Sequence, residues 1–320
     1  MITMSSNSSR RKMACCVFAA ALTIGHLTLP AAAQDSPRTF PTPDDAAREL
    51  IRAVKGGNLQ ELIAIFGRDG QELADGSDPA TARKNRQVFT TAAAEGWHLV
   101  DQGSNRKTLV VGNEEWPFPV PLVKDGAAWH FDAAAGRVEV IARRIGRNEL
   151  AVIETCRTYV SAQQRYAQQG HDGKPAGLYA KIFRSEPGKE NGLYWPVAKG
   201  KKRSPLGDLL AQAAEQERPL DTNAGRPSTF HGYYFKILSE QGPAASGGGK
   251  SYVVNGDMSG GFALVAWPAQ YDVTGVMTFI VNRDGILYQK DLGPQTESVA
   301  KSMTRYNPDQ SWRRVAQEAN

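Results

Sequence analysis

The sequence predicts an α+β protein in two parts, and three observations carry that expectation. The stretch from Phe230 to Leu292 reads as one antiparallel sheet. A helix with one apolar face, running from Val152 to Tyr166, precedes it and can cover it. Ahead of both, short helical patterns between Thr42 and Glu95 give way to strand-like runs between Trp97 and Asp132.

The first 33 residues read as an export signal rather than as fold. Arg10-Arg11-Lys12 form a basic lead, Met13 to Leu29 an apolar stretch, and Ala31-Ala32-Ala33 a cleavage site before Gln34. Thr23, Gly25, His26, Thr28 and Pro30 interrupt the apolar run, so no transmembrane span is expected once the signal is cleaved. A periplasmic or secreted protein follows, with the export route open between the general and twin-arginine pathways. The expected division is residues 1–33 as signal, 34–142 as an N-terminal α+β unit and 143–320 as a C-terminal helix-on-sheet unit.

Cleavage changes the charge argument. The whole chain carries 38 Lys+Arg and 33 Asp+Glu. The signal holds three of the basic residues and no acidic ones, leaving a net of +2, which gives no reason to expect nucleic acid as a partner. Cys15 and Cys16 leave with the signal, so Cys156 stays alone and no intrachain disulfide is expected.

In chain order, Thr42 caps a helix with Pro43 in its first turn, and Leu50, Ile51 and Val54 form its apolar side before Gly56-Gly57. Asn58 caps a second, with Leu59, Leu62, Ile63 and Phe66 at helical spacing, ended by Gly67. A third amphipathic piece falls within Thr81 to Glu95. Strands are expected at Trp97–Val100, Thr108–Val111, Phe118–Val123 and Ala128–Phe131. Pro117, Pro119 and Pro121 confine their segment to an edge or an extended connector. Arg137 to Asn148 leads into the long helix, whose apolar face holds Val152, Ile153, Cys156, Tyr159, Val160 and Tyr166. In the sheet, Gly232–Leu238, Tyr252–Val254, Gly261–Trp267 and Val276–Val281 are strands. Pro268 stops the third, and Asn282-Arg283-Asp284-Gly285 turns the last into Ile286–Tyr288. Leu206–Glu217 and a tail from Ser298 to Ala319 read as helix-prone.

Helices followed by a curved sheet ending at Trp129–Asp132 resemble the cone-like fold of nuclear-transport-factor-like domains. A helix, a Gly/Lys-rich middle and an antiparallel sheet closing on an Asp-Gly hairpin resemble the globular part of type II secretion pseudopilins, although the helix is amphipathic and far from the terminus. Longer runs resemble the bacterial family known as domain of unknown function 2950: Trp116–Lys124, Arg143–Leu150, Gly192–Pro196, Gly232–Leu238, Gly260–Pro268, Gly275–Val281 and Lys290–Gly293. That resemblance implies an exported bacterial protein and no particular activity. It also implies a calcium-loop-like acidic turn after the long helix. Here that turn is His171-Asp172-Gly173-Lys174-Pro175, where Lys174 and Pro175 replace oxygen ligands, so calcium is not expected.

No motif with a known chemistry survives inspection. Gly249-Lys250-Ser251 is the tail of a phosphate loop, but Ala244 stands where Gly is required and a strand follows instead of a helix. His98, His130, His171 and His231 lack zinc spacing, and no nucleophile elbow accompanies them. No catalytic residue, metal or cofactor is assigned. Arg143, Arg144 and Arg147 are candidates to bind an anion, or else to join the two halves by pairing with Glu149, Glu154 or backbone carbonyls. Tyr194 and Trp195 are candidates to line a ligand groove, or else to plug the loop-rich middle into the core. The expected function is a non-enzymatic envelope or secreted protein that binds another macromolecule, for instance another envelope protein. An extracytoplasmic hydrolase and a small-ligand binder using the N-terminal half are the alternatives.

Overall fold

The computed structural model describes residues 36–68, 79–197, 203–207 and 229–316. The expected export signal, and the expected helix at Leu206–Glu217 beyond residue 207, lie outside them.

The N-terminal part follows its caps. Helix α1 (Pro43–Gly56) starts where Thr42 Oγ1 accepts from the Asp45 amide at 3.1 Å and ends at left-handed Gly57. Asn58 accepts from the amides of Gln60 and Glu61 to start α2 (Leu59–Phe66), and α3 (Pro79–Glu95) follows. These helices cover a sheet of β1 (Trp97–Asp101), β2 (Arg106–Val111), β3 (Trp116–Pro117), β4 (Leu122–Asp125) and β5 (Ala128–Phe131). The spatial order is β1-β2-β4-β5, with β3 also on β2, and every pairing is antiparallel. The three prolines thus confine their segment to a two-residue strand. The interior is filled by Phe66, Phe89, Phe118 and Phe131, whose ring centroids lie 5.4–6.4 Å apart in their contacting pairs. Trp116 is an outer residue, 44 % exposed.

Helix α4 (Ala133–Ala167) is one continuous element of 35 residues, longer than its apolar face announces. Asp132 Oδ1 accepts from the Ala135 amide and starts it. Gly136 is buried against Val120, where a Cβ would lie 2.6 Å from the valine methyl, so the glycine lets the helix approach the first sheet closely. The expected boundary at 142/143 falls inside this helix. Ala133 belongs to the first core, whereas Val152, Cys156, Tyr159 and Val160 belong to the second.

That second core lies between α4 and a sheet whose strands lie in the spatial order Arg313–Arg314, Leu287–Asp291, Met277–Asn282, Ala263–Pro268 and Tyr233–Leu238. In chain order the strands are β6 (Tyr233–Leu238), β7 (Glu240–Gln241), β8 (Lys250–Ser251), β9 (Val253–Val254), β10 (Asp257–Met258), β11 (Ala263–Pro268), β12 (Met277–Asn282) and β13 (Leu287–Asp291). The β6–β11 register puts Pro268 opposite Tyr233, and Ala269 donates to the Gly232 carbonyl at 2.9 Å. Pro268 therefore sits where its missing N–H faces β12, and the β11–β12 ladder ends at Ala266↔Phe279. The turn Asn282–Gly285 closes as expected, with Gly285 left-handed and donating to the Asn282 carbonyl.

The tail corrects the sequence reading. Among the described residues of the tail, α-helix is confined to α5 (Thr296–Ser302); the chain then forms β14 (Arg305–Tyr306) beside β7 and β15 (Arg313–Arg314) on β13. Pro308 cannot continue a helix, and Tyr306 and Trp312 pack onto the core.

Two polar side chains brace the buried helix face. Gln163, fully buried, donates to the Ala180 carbonyl at 2.8 Å and accepts from the Ala180 amide at 2.9 Å. Tyr159 donates to the Ala263 carbonyl at 3.3 Å. Cys156 lies on the same face, and burial pushes its thiol up to about 12. Iodoacetamide at neutral pH should consequently label Cys156 only after denaturation. Rapid labelling of the folded protein would contradict this packing. Among the described residues no helix is long and apolar enough to cross a membrane.

Candidate functional site

The arginine candidates sit in the first half of α4. Arg143 donates to Glu139 and to the Pro117 carbonyl, each at 2.8 Å, and its guanidinium lies 5.8 Å over the Trp116 ring. The Glu139 pair lies within α4, one turn back, while the Pro117 and Trp116 contacts fasten the helix to the N-terminal sheet, so Arg143 serves to join the parts. It pairs with neither Glu149 nor Glu154; Glu154 meets Arg157 instead. Arg144 is half-buried and Arg147 exposed, and neither has a hydrogen bond or ion pair among the described residues.

The residues that follow do more than the sequence revealed. Glu149 Oε1 accepts from the amides of Val276 and Met277, each at 2.9 Å, with the Tyr233 hydroxyl 3.5 Å away. Tyr233 donates to the Met277 carbonyl at 3.0 Å, and Asn148 donates to the Thr274 carbonyl at 2.8 Å. Gly275 is required here because a Cβ would collide with the Tyr233 hydroxyl. Burial and the adjacent Glu149 carboxylate hold the Tyr233 hydroxyl far above the usual tyrosine range. The signal was present: Glu149 falls one turn beyond Ile145 and one turn before Val152 and Ile153, a carboxylate on the helix's apolar side.

Tyr194 and Trp195 lie at the other end of α4. The Tyr194 backbone exchanges bonds with Phe183 and Ser185, each at 2.8 Å, and Arg184 lies 5.7 Å over its ring. Trp195 meets the edge of His171 at 5.6 Å, and His171 stacks on Tyr166 at 4.0 Å. Nε2 of His171 is 3.0 Å from the Tyr166 carbonyl, one of the groups left open where the helix ends, and Nδ1 is 3.3 Å from Glu190 Oε2. Tyr166 donates to the Glu190 carbonyl, and burial pushes its hydroxyl up to about 12. Both imidazole nitrogens lie beside acceptors within the fold, which ties the His171 ring to the end of α4.

Arg143 and Tyr166 are separated by 23 helical residues, about 35 Å. The predicted residues therefore form two separate patches rather than one site.

With this geometry in hand, comparison with known families is informative. A family profile described as a protein of unknown function (DUF2950) matches residues 37–315. The chain belongs to this family. No curated protein and no solved structure matches it. The pseudopilin likeness of this DUF2950 protein accordingly rests on element order alone.

The other motifs have structural settings in the DUF2950 chain. The Gly249-Lys250-Ser251 segment is an inter-strand loop entering β8. Gln241 braces it by donating to the carbonyls of Ser246 and Gly248 at 2.7 and 2.8 Å while accepting from Tyr252 at 2.9 Å. At the turn after α4, Lys174 pairs with Asp257, placing an ammonium where a cation ligand would need oxygen. His98 is half-exposed with Nε2 3.5 Å from Glu115. Among the described residues, no group of three or more His, Cys, Asp or Glu side chains is placed to hold a metal ion.

Proposed function

We propose that this DUF2950 protein is exported, resides in the periplasm or outside the cell, and acts by holding another macromolecule rather than by catalysis. The observation that carries this reading is the open outer edge of β6. Gly232 and the alternate residues Tyr234, Lys236 and Leu238 bond to β11, so the backbone groups of Tyr233, Phe235 and Ile237 point outward. Tyr233 exchanges its pair with Phe230, and the Ser239 carbonyl accepts from Tyr252, which closes both ends. Between them, Phe235 and Ile237 keep an N–H and a C=O each with no backbone partner among the described residues. Such groups accept an added strand. The placement of His171, Glu149 and Arg143 in structural bonds supports the same reading, since each is already engaged within the fold.

The test uses the mature protein and Ile237→Pro as baits in a bacterial envelope extract, beside a broad hydrolase panel. Proline at 237 removes an N–H that β11 does not use. A partner held by the mature protein and lost with a variant of near-equal melting temperature is expected. Identical capture by both, or turnover in the panel, would overturn the reading. Amino-terminal sequencing of the exported fraction should begin at Gln34.

A further inference from the structure

We infer that two copies of this chain pair through β1, joining their N-terminal sheets across a two-fold axis. Strand β1 is paired on one side only, to β2, in the register Trp97↔Val111 to Asp101↔Lys107. Gly112 donates to the Gly96 carbonyl at 2.9 Å and Gln102 to the Arg106 carbonyl at 2.8 Å, so the even-numbered residues carry the bonds to β2. The backbone groups of Trp97, Leu99 and Asp101 therefore point away from the sheet, and no described backbone group meets them. This open stretch is longer than that of β6. It also lacks the devices that blunt edges: it contains no proline, no lysine and no bulge.

The occupant is read from the side chains. A two-fold antiparallel pairing centred on Leu99 sets Leu99 against its counterpart and Trp97 against Asp101 of the second copy. Directly opposed residues share a face of the sheet. On that face Arg48 lies 5.9 Å over the Trp97 ring. Asp101, its side chain 72 % exposed and paired with Lys107 of its own chain, thus arrives beside the Arg48 guanidinium of the other copy, itself 3.6 Å from Asp45. This extends each ion pair across the seam, and symmetry makes the contact twice. On the opposite face His98 meets Val100, which is otherwise exposed. The two-fold uses up both β1 edges, so the assembly closes as a dimer instead of growing into a filament.

The inference stands apart from the β6 reading and is tested apart from it, by sedimentation equilibrium of the mature protein over a wide concentration range. A monomer–dimer equilibrium is expected. Asp101→Pro removes an outward N–H that β2 does not use, and should give a monomer with the melting temperature retained. Arg48→Glu sets like charges together and should weaken dimerisation at least tenfold; adding Asp101→Arg to it should restore part of that loss. A protein that stays monomeric at the highest concentration reached, or a dimer indifferent to Asp101→Pro, would overturn the inference.

Discussion

Val160→Asp should destroy the C-terminal part of the fold. Val160 is 7 % exposed on the α4 face that covers the sheet, in the cluster with Cys156 and Tyr159. An uncompensated buried charge costs about 3–5 kcal/mol. That is a large share of the roughly 5–15 kcal/mol by which a domain is stable. The expected result is an insoluble product, or one whose melting midpoint falls by roughly 10 °C or more. Val160→Ala, which leaves a cavity but no charge, should remain folded and melt only modestly lower. A Val160→Asp melt matching that of the unaltered protein would remove the helix-on-sheet packing.

Glu149→Leu should be the second most damaging change. It leaves the amides of Val276 and Met277 without their acceptor, at about 1–3 kcal/mol each. Glu149→Gln keeps an acceptor oxygen in place and should recover most of the loss. Urea unfolding of the two variants separates the effects. If Leu and Gln proved equally stable, the carboxylate would not be what docks α4 on this segment. Asn148→Ala should add to Glu149→Leu by less than its own separate cost, since both groups hold one stretch of chain between Thr274 and Met277.

The elements with local physical causes were legible in the sequence. Thr42 and Asn58 announce their helices because a cap needs one particular side chain at one position. Pro268 announces the end of its ladder, and Asn282–Gly285 its turn, for equally local reasons. What stayed hidden depends on partners far along the chain. Ala133-Ala134-Ala135-Gly136 shows no contrast between polar and apolar sides, so the true start of α4 gives no periodic signal; its cause is Val120 across the contact. Gln163 is polar, yet Ala180 makes it a core residue. Strand β15 has two residues, too few for an alternating pattern, and exists because β13 offers an edge.

The candidate residues divide the same way. Arg143 was recognisable as a join between the two parts, but its partners at Glu139, Pro117 and Trp116 were not, because the last two come from a sheet edge. Trp195 was recognisable as an apolar anchor, whereas its edge contact with His171 requires the turn that returns the chain to the end of α4. Glu149 illustrates the opposite lesson. A carboxylate on an apolar helix face is a local oddity, and here it marks the point where the helix meets the loop before β12.

One element, α4, serves both cores, and its continuity is open to direct measurement. Spin labels at the exposed positions Val138 and Arg157, in a Cys156→Ser background, span 19 helical residues. The structure predicts a single narrow distance distribution corresponding to about 29 Å between the two backbone positions. A broad distribution, or one centred well below that distance, would show the helix bending near Gly146 and the two parts moving independently, and would contradict the account.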